Sequence, residues 1–394
     1  FQLQAKNNFF DLMLSDIPIL SEQYYKSIEN RGYAEFGRLR PMGHGPFMLE
    51  AFGDNMISFI PHPNYAFGRP FLDRIIYRFY DDEQQMVDDL LQKRLDMFEV
   101  KERKTVDRIF QILKKDIKIF ATPRPEKLIR FILFNTNQKP FNDTKVRQAI
   151  RYSINQNEIV QNLLETNGHV AYSLIDYTSS AFYKELFKEN YDPGLGLELL
   201  NNAGWLVVTP GGILEKNGSQ LDLELLFEEN SFLEESIARA IKIQLAELGI
   251  NVLPKPVNFR QKEFLIKQNR FSAALLDYSY FDNNLFEVAQ DFYFDVLKNQ
   301  GSMENYVNQT IEVIFKQADS DPKLERQYLQ RFQILLHREA PAVFLCFDDK
   351  IIYALDSRFE GARVSSSSDN VFFLRLNPFE NWYVPKSLQK YKNR

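Results

Sequence analysis

Cysteine and histidine are scarce in this chain of 394 residues, and both shortages narrow its chemistry. The single cysteine, Cys346, has no partner for an intramolecular disulfide. Its place in the apolar run Val343-Phe-Leu-Cys-Phe347 predicts a small buried side chain, not a nucleophile. The four histidines, His44, His62, His169 and His337, fall into no HExxH or Cys/His metal spacing and are read as structural or solvated. There is no Gly-x-Ser-x-Gly elbow and no phosphate-cradling glycine loop; Gly43-His-Gly45-Pro46 reads as a turn. No apolar run approaches the roughly 20 residues that span a bilayer, and no signal peptide is visible at Phe1. A basic surplus is missing too. The net charge is −5, which argues against a nucleic-acid partner. Repeats, low-complexity stretches and flexible tethers are not found either.

What remains is ordinary globular composition, 44% hydrophobic and 26% charged, with enough chain for two or more domains. Aromatics stand out at 14%, with 35 Phe and 19 Tyr, which can thicken a core or line a ligand cleft. Strand and helix patterns alternate along most of the length, predicting α/β layers. The clearest unit is central. Leu221, Leu223, Leu225 and Phe227 alternate with polar residues as a strand does. Ser231 then precedes Glu234 at the capping-box spacing, and Ile237, Ala240, Ile241, Leu245 and Leu248 follow at helical spacing. Gly249 sits where a left-handed cap is wanted, and Ile250-Asn-Val252 opens another strand. This is a βαβ unit, which requires a parallel pair.

Other helices are marked by their ends. Asp192-Pro193 reads as N-cap and first turn, with Ala203-Gly204 as the stop. Asp321-Pro322 opens a helix bearing Leu324, Tyr328, Phe332 and Leu335. Val146, Ala149, Ile150 and Ile154 form a stripe after Asn142-Asp143, continued by Ile159 to Leu164 and ended at Gly168. Asp81-Asp82 precedes a stripe with Met86 and Leu90 and reads as capping. Strands are expected over Arg74–Tyr80, Ile129–Asn135, Phe271–Leu276 and Ala342–Phe347.

One stretch invites a functional reading. The strand Phe271–Leu276 runs into Asp277-Tyr-Ser-Tyr-Phe-Asp-Asn-Asn284. Ligands bind at the C-terminal tips of strands in α/β sheets, Tyr offers a flat face with a hydroxyl, and Asp can pair with an amine. An ordinary loop with aromatic staples fits the same residues equally well.

The motifs in order resemble the family 5 extracellular solute-binding proteins, which include the oligopeptide-, dipeptide- and nickel-binding components of ABC importers. The most distinctive stretch runs Phe134-Asn-Thr-Asn-Gln-Lys-Pro140-Phe-Asn-Asp143-Thr-Lys-Val146-Arg147-Gln148-Ala149. Gly43-His-Gly45-Pro46-Phe47, Asn64-Tyr65 with Gly68 and Pro70, Tyr191-Asp-Pro193 through Trp205, and Ala340-Pro341-Ala342 are similar to further signatures.

The resemblance implies a two-lobed type II periplasmic-binding-protein fold, α/β, with mixed sheets flanked by helices and lobes joined by crossover strands. The first lobe is expected from residues 1–132 plus 349–394, and the second from 133–348. Phe1–Tyr25 resembles a point well inside a family member, so an N-terminal part is expected to be missing. It implies no enzyme and no cofactor, a small solute (a peptide first) trapped between the lobes, a membrane permease of an ABC transporter as partner, a monomer, and a periplasmic or extracytoplasmic location, lipid-anchored or not.

The expected ligand-binding residues are Tyr278, Tyr280, Phe281, Asp282 and Asn283. Tyr278 stands where the family has Trp, and Asp282 is the nearest candidate for its amine-binding Asp. Where dipeptide-binding members carry a carboxylate-binding Arg, this chain reads Glu234-Glu235-Ser236, with Arg239 one turn later. That favours an extended peptide or a stacked sugar over a free dipeptide. Two other readings are a ligand-sensing regulatory module on the same fold and a hydrolase using Asp81, Asp82 or Asp282. The hydrolase has no visible nucleophile–base pair or metal set.

Overall fold

A computed structural model describes Glu22, Lys26 and residues 42–389, apart from 81, 101–102, 113–115, 165–166, 189–190, 208–211, 283, 299–304, 321 and 363–378. The readings placed on Phe1–Tyr25, apart from Glu22, and on Asp81, Asp321 and Asn283 lie outside the described residues. The chain divides into two compact units. One runs to Asp88 and resumes at Asp356; the other contains Asp89–Leu355. The expected lobe boundaries, after 132 and after 348, both fall within long strands of the second unit.

In the first unit, β1 (Phe47–Phe52), β2 (Met56–Pro61) and β3 (Ile75–Arg78) form an antiparallel sheet. The Gly43–Pro46 turn leads into it, and the Pro46 carbonyl accepts the amide of His62. Helix α1 (Glu83–Leu91) follows, and Asp82 accepts the Gln85 amide at 2.8 Å, as a capping carboxylate does.

The second unit is built on a seven-stranded sheet. In chain order its elements are β4 (Met97–Val100), α2 (Arg103–Ile112), β5 (Ile117–Phe134), α3 (Thr144–Ser153), α4 (Gln156–Ile159) and β6 (Gly168–Val170). Then come α5 (Pro193–Asn202), a small sheet of β7 (Leu206–Val207), β8 (Leu214–Lys216) and β9 (Ser219–Gln220), and β10 (Asp222–Glu228). The chain continues through α6 (Phe232–Ala246), β11 (Asn251–Val257), α7 (Phe259–Lys267), β12 (Ala273–Tyr280), α8 (Leu285–Asp291), α9 (Asn305–Ser320), α10 (Glu325–Glu339) and β13 (Ala342–Asp356). The strand order is β11-β10-β12-β5-β13-β4, with β6 paired to β13.

The expected βαβ unit is present: β10 and β11 run parallel, Leu223 opposite Val252, with α6 between them in sequence. Gly249 has φ +81°, the left-handed geometry that glycine adopts without a Cβ clash. The cap at Ser231 departs from a full capping box. Its side chain accepts the Glu234 amide, but the Glu234 carboxylate turns away to accept the Glu228 amide and the Lys262 ammonium. Because β5 lies inside the sheet, both its faces are buried, and its side chains alternate between two cores. Ile129, Phe131 and Leu133 join one core; Ile132 and Phe134 join the other.

Three expectations are corrected. Gly168 does not end a helix; it opens β6, paired with Asp348 of β13. The helix after Pro322 begins as a 3-10 turn, Pro322–Leu324, and becomes α-helical only at Glu325. Most important for the site, β12 does not stop at Leu276. It runs to Tyr280, because its antiparallel ladder with β5 continues through Tyr280 opposite Lys127.

Candidate functional site

The longer β12 fixes which way its side chains point. Successive residues alternate faces, so Tyr278 and Tyr280 share one side of the sheet and Asp277 and Ser279 the other. Tyr280 is 6% exposed, and its hydroxyl donates to the Leu174 carbonyl at 2.7 Å. It is a core residue whose polar tip is already satisfied, not an open ligand contact. Tyr278 is half-buried, with its ring 5.2 Å from Phe292 edge-on and 6.1 Å from Tyr280. Burial first, then the charges of Asp291 and Asp295, push its phenol up to about 12. Phe281 and Asp282 follow the strand and face solvent, Phe281 at 47% exposure.

Two charged networks flank this tip. On one, Lys127 of β5 donates to Asp176 at 2.7 Å, and Asp176 also lies 3.3 Å from Nε2 of His169. Nδ1 of His169 meets Asp349 at 2.7 Å. The imidazole is stacked on Phe347 and edge-on to Tyr177. Burial alone would push its pKa down, but hydrogen bonds and charge from the two carboxylates outweigh burial and raise it to about 9. Burial would raise the Asp176 carboxyl, but His169 and Lys127 hold it far below the usual carboxylate range. Lys127 is raised: burial opposes its charge, and Asp176, Asp282 and Asp349 favour it. Asp282 is thus close enough to feel the Lys127 ammonium.

The second network is centred on Arg130 of β5. It grips Asp277 with two contacts, at 2.7 and 2.6 Å, and reaches Asp348 at 3.4 Å. Arg124 approaches the same Asp348 at 3.6 Å, Glu99 at 3.6 Å and Glu126 at 3.0 Å. Burial raises the Asp348 carboxyl although both arginines pull it down. The Nε atoms of Arg124 and Arg130 are buried without a hydrogen-bond partner. On α6, Arg239 is paired with Glu235 at 2.6 Å on an exposed helix face.

Of the five expected residues, the structure brings Tyr278, Tyr280, Phe281 and Asp282 together at the β12 tip; Asn283 lies outside the described residues. Sequence reasoning missed the networks of Lys127, Arg130, His169, Asp176 and Asp349, whose pairings, apart from His169 with Asp176, join residues far apart along the chain. The one visible signal was Asp348-Asp349, two carboxylates leaving the apolar run of β13. The thiol of Cys346 is buried, as expected, and burial pushes it up to about 12. Among the described residues, no helix is long and apolar enough to cross a membrane.

Comparison with known proteins gives this geometry its context. The family described as bacterial extracellular solute-binding proteins, family 5 middle, matches residues 1–297. The oligopeptide-binding protein AppA of Bacillus subtilis is 25% identical over 405 residues, covering 98% of this chain and 70% of that protein. The dipeptide-binding protein of Escherichia coli is 23% identical, covering 85% of this chain but only 61% of its own length. The solved structure of Bacillus subtilis AppA with a nonapeptide superposes with a TM-score of 0.72 at 22% identity, over 98% of this chain and 76% of that one. Its fold is shared here: the type II periplasmic-binding-protein fold, an α/β arrangement with a mixed sheet. The chain belongs to the family 5 bacterial extracellular solute-binding proteins.

Proposed function

We propose that the chain is the solute-binding component of an ABC importer and that its solute is a peptide held in extended form. The observation that carries this reading is the match to an oligopeptide-binding relative over 98% of the chain. The β12 tip supports it. Tyr278 and Phe281 offer apolar area, and the exposed Asp282 carboxylate suits a peptide's amino terminus. Tyr280 supports Tyr278 from below and makes no direct contact. Lys127, beside Asp282, sets the local charge and so favours a ligand whose amine is separated from the ammonium. At the equivalent helix Arg239 is paired with Glu235, which favours longer peptides over a free dipeptide.

The protein carries out no catalysis and works as a monomer outside the cytoplasmic membrane, free or lipid-held, passing its solute to a membrane permease. The test is thermal unfolding with peptides of two to nine residues. A true ligand at a hundredfold excess over its Kd stabilises by about 2.7 kcal/mol. A melting shift with sugars and none with any peptide would replace this reading.

A further inference from the structure

Resting on the peptide reading above, we infer that the β12-tip site extends onto an aromatic ledge of Tyr177 and Phe187, which selects peptides with an aromatic side chain in one of their first three positions. Both rings belong to the segment between β6 and α5. Much of that segment is packed away: Ala171, Leu174, Ile175, Asp176, Phe182 and Leu186 are buried. Tyr177 and Phe187 break the pattern, at 41% and 37% exposure. Other rings back them. Phe187 is edge-on to Tyr172 at 4.9 Å and lies 5.0 Å from Phe182. Tyr177 is edge-on to His169 at 4.9 Å, and the two ledge rings meet edge-on at 5.8 Å. A further ring joins such a set in the same edge-on or offset geometry.

The ledge is tied to the β12 tip by hydrogen bonds. Tyr280 of β12 donates to the Leu174 carbonyl at 2.7 Å. Lys127, opposite Tyr280 in the ladder, donates to Asp176 at 2.7 Å, and Asp176 directly precedes Tyr177. Burial opposes the Lys127 charge, and Asp176 and Asp282 both favour it. One ammonium therefore stands beside both the residue that leads into the ledge and the carboxylate proposed to hold the peptide amine. The segment is also held before a ligand arrives. Asp176 accepts the Thr178 amide at 2.9 Å, and Gln333 of α10 accepts the Tyr183 amide and donates to the Ala181 carbonyl. A surface ordered in advance loses little freedom on binding, so ring contact there converts well into affinity. With its amine at Asp282, an extended peptide advances about 3.3 Å per residue, which carries an early side chain past Lys127 toward Tyr177.

Pentaalanine and its five single-phenylalanine variants, titrated calorimetrically into the whole chain, test this selection. Phenylalanine in one of the first three positions is expected to tighten binding about tenfold over pentaalanine. Tyr177→Ser and Phe187→Ser, both at exposed positions, are each expected to cut that ratio to about threefold or less. A change that only loosened the segment would weaken both peptides alike and leave the ratio intact. Asp282→Ala is expected to weaken both peptides and keep the ratio, because the amine and the ring are held separately. Peptide binding with no preference for phenylalanine in the first three positions, or a full preference retained in both ring variants, would overturn the ledge and leave the peptide reading standing. Should one ring variant fail to fold, the other decides. Heat with none of the six peptides would remove the peptide reading and the ledge with it.

Discussion

His169 sits between Asp176 and Asp349, and its protonated form joins β6 to β13 and to the segment after β6. With a folded pKa of about 9 against an ordinary 6.5, its stabilisation is fully present below about pH 6.5. It is lost as pH rises toward 9 and beyond. Asp176 acts with the opposite sign: its depressed pKa stabilises above the ordinary carboxylate value and is lost in acid. Melting temperature measured from pH 6 to 10 should therefore fall through the alkaline half, and His169→Gln should flatten that slope. A wild-type curve with no alkaline decline would show that the bridge carries no proton. At the same tip, Asp282→Ala should weaken a free-amine peptide about tenfold and leave its N-acetylated form unaffected, with unfolding unchanged. Equal losses for both forms would remove Asp282 from amine recognition.

At the scale of elements, the signature Val146-Arg147-Gln148-Ala149 has a structural explanation. Arg147 is buried and donates to the carbonyls of Glu339, Ala340 and Phe141, while Gln148 donates to that of Arg338. Together they satisfy the carbonyls at the end of α10, where Ala340 adopts the left-handed conformation. Arg147→Ala should cost about 3 kcal/mol or more in denaturant unfolding, since it leaves several buried carbonyls unpaired. Helices α3 and α5 pack closely at Gly196, where a Cβ would meet the Ser153 hydroxyl, and the Ala149 carbonyl at 3.0 Å. Gly196→Ala should cost about 1–3 kcal/mol in the same measurement, and a neutral result would mean the helices can part freely. The sheet edge is protected as well. Asn251 and Val257 bond toward β10, so the alternate Pro254 and Pro256 sit where the amides of β11 would face outward.

These elements also show what the sequence could and could not disclose. Asp192 caps its helix as read, and Ser231 caps its own without the reciprocal Glu234 bond, because a cap needs only an oxygen three residues from the amide it meets. The parallel β10–β11 pair was legible from alternation and one helix between. The extent of β12 was not, since its last residues are ordered by β5, more than a hundred residues earlier. That one difference moved Tyr280 from a loop into the core. The pairing of Lys127 with Asp176, and of His169 with Asp349, spans 49 and 180 residues, and no local pattern encodes it.

For the whole molecule, much of the aromatic surplus is packed into two cores, while Tyr278 and Phe281 stay partly accessible at the β12 tip. The central claim is that an extended peptide binds at the β12 tip. Calorimetric titration of the intact chain with a random pentapeptide pool, set against the same pool N-acetylated, addresses it most directly. Saturable one-to-one heat with the free-amine pool, about tenfold weaker after acetylation, is the expected result. Absence of heat with either pool, or identical heat with both in the wild type and in Asp282→Ala, would contradict it.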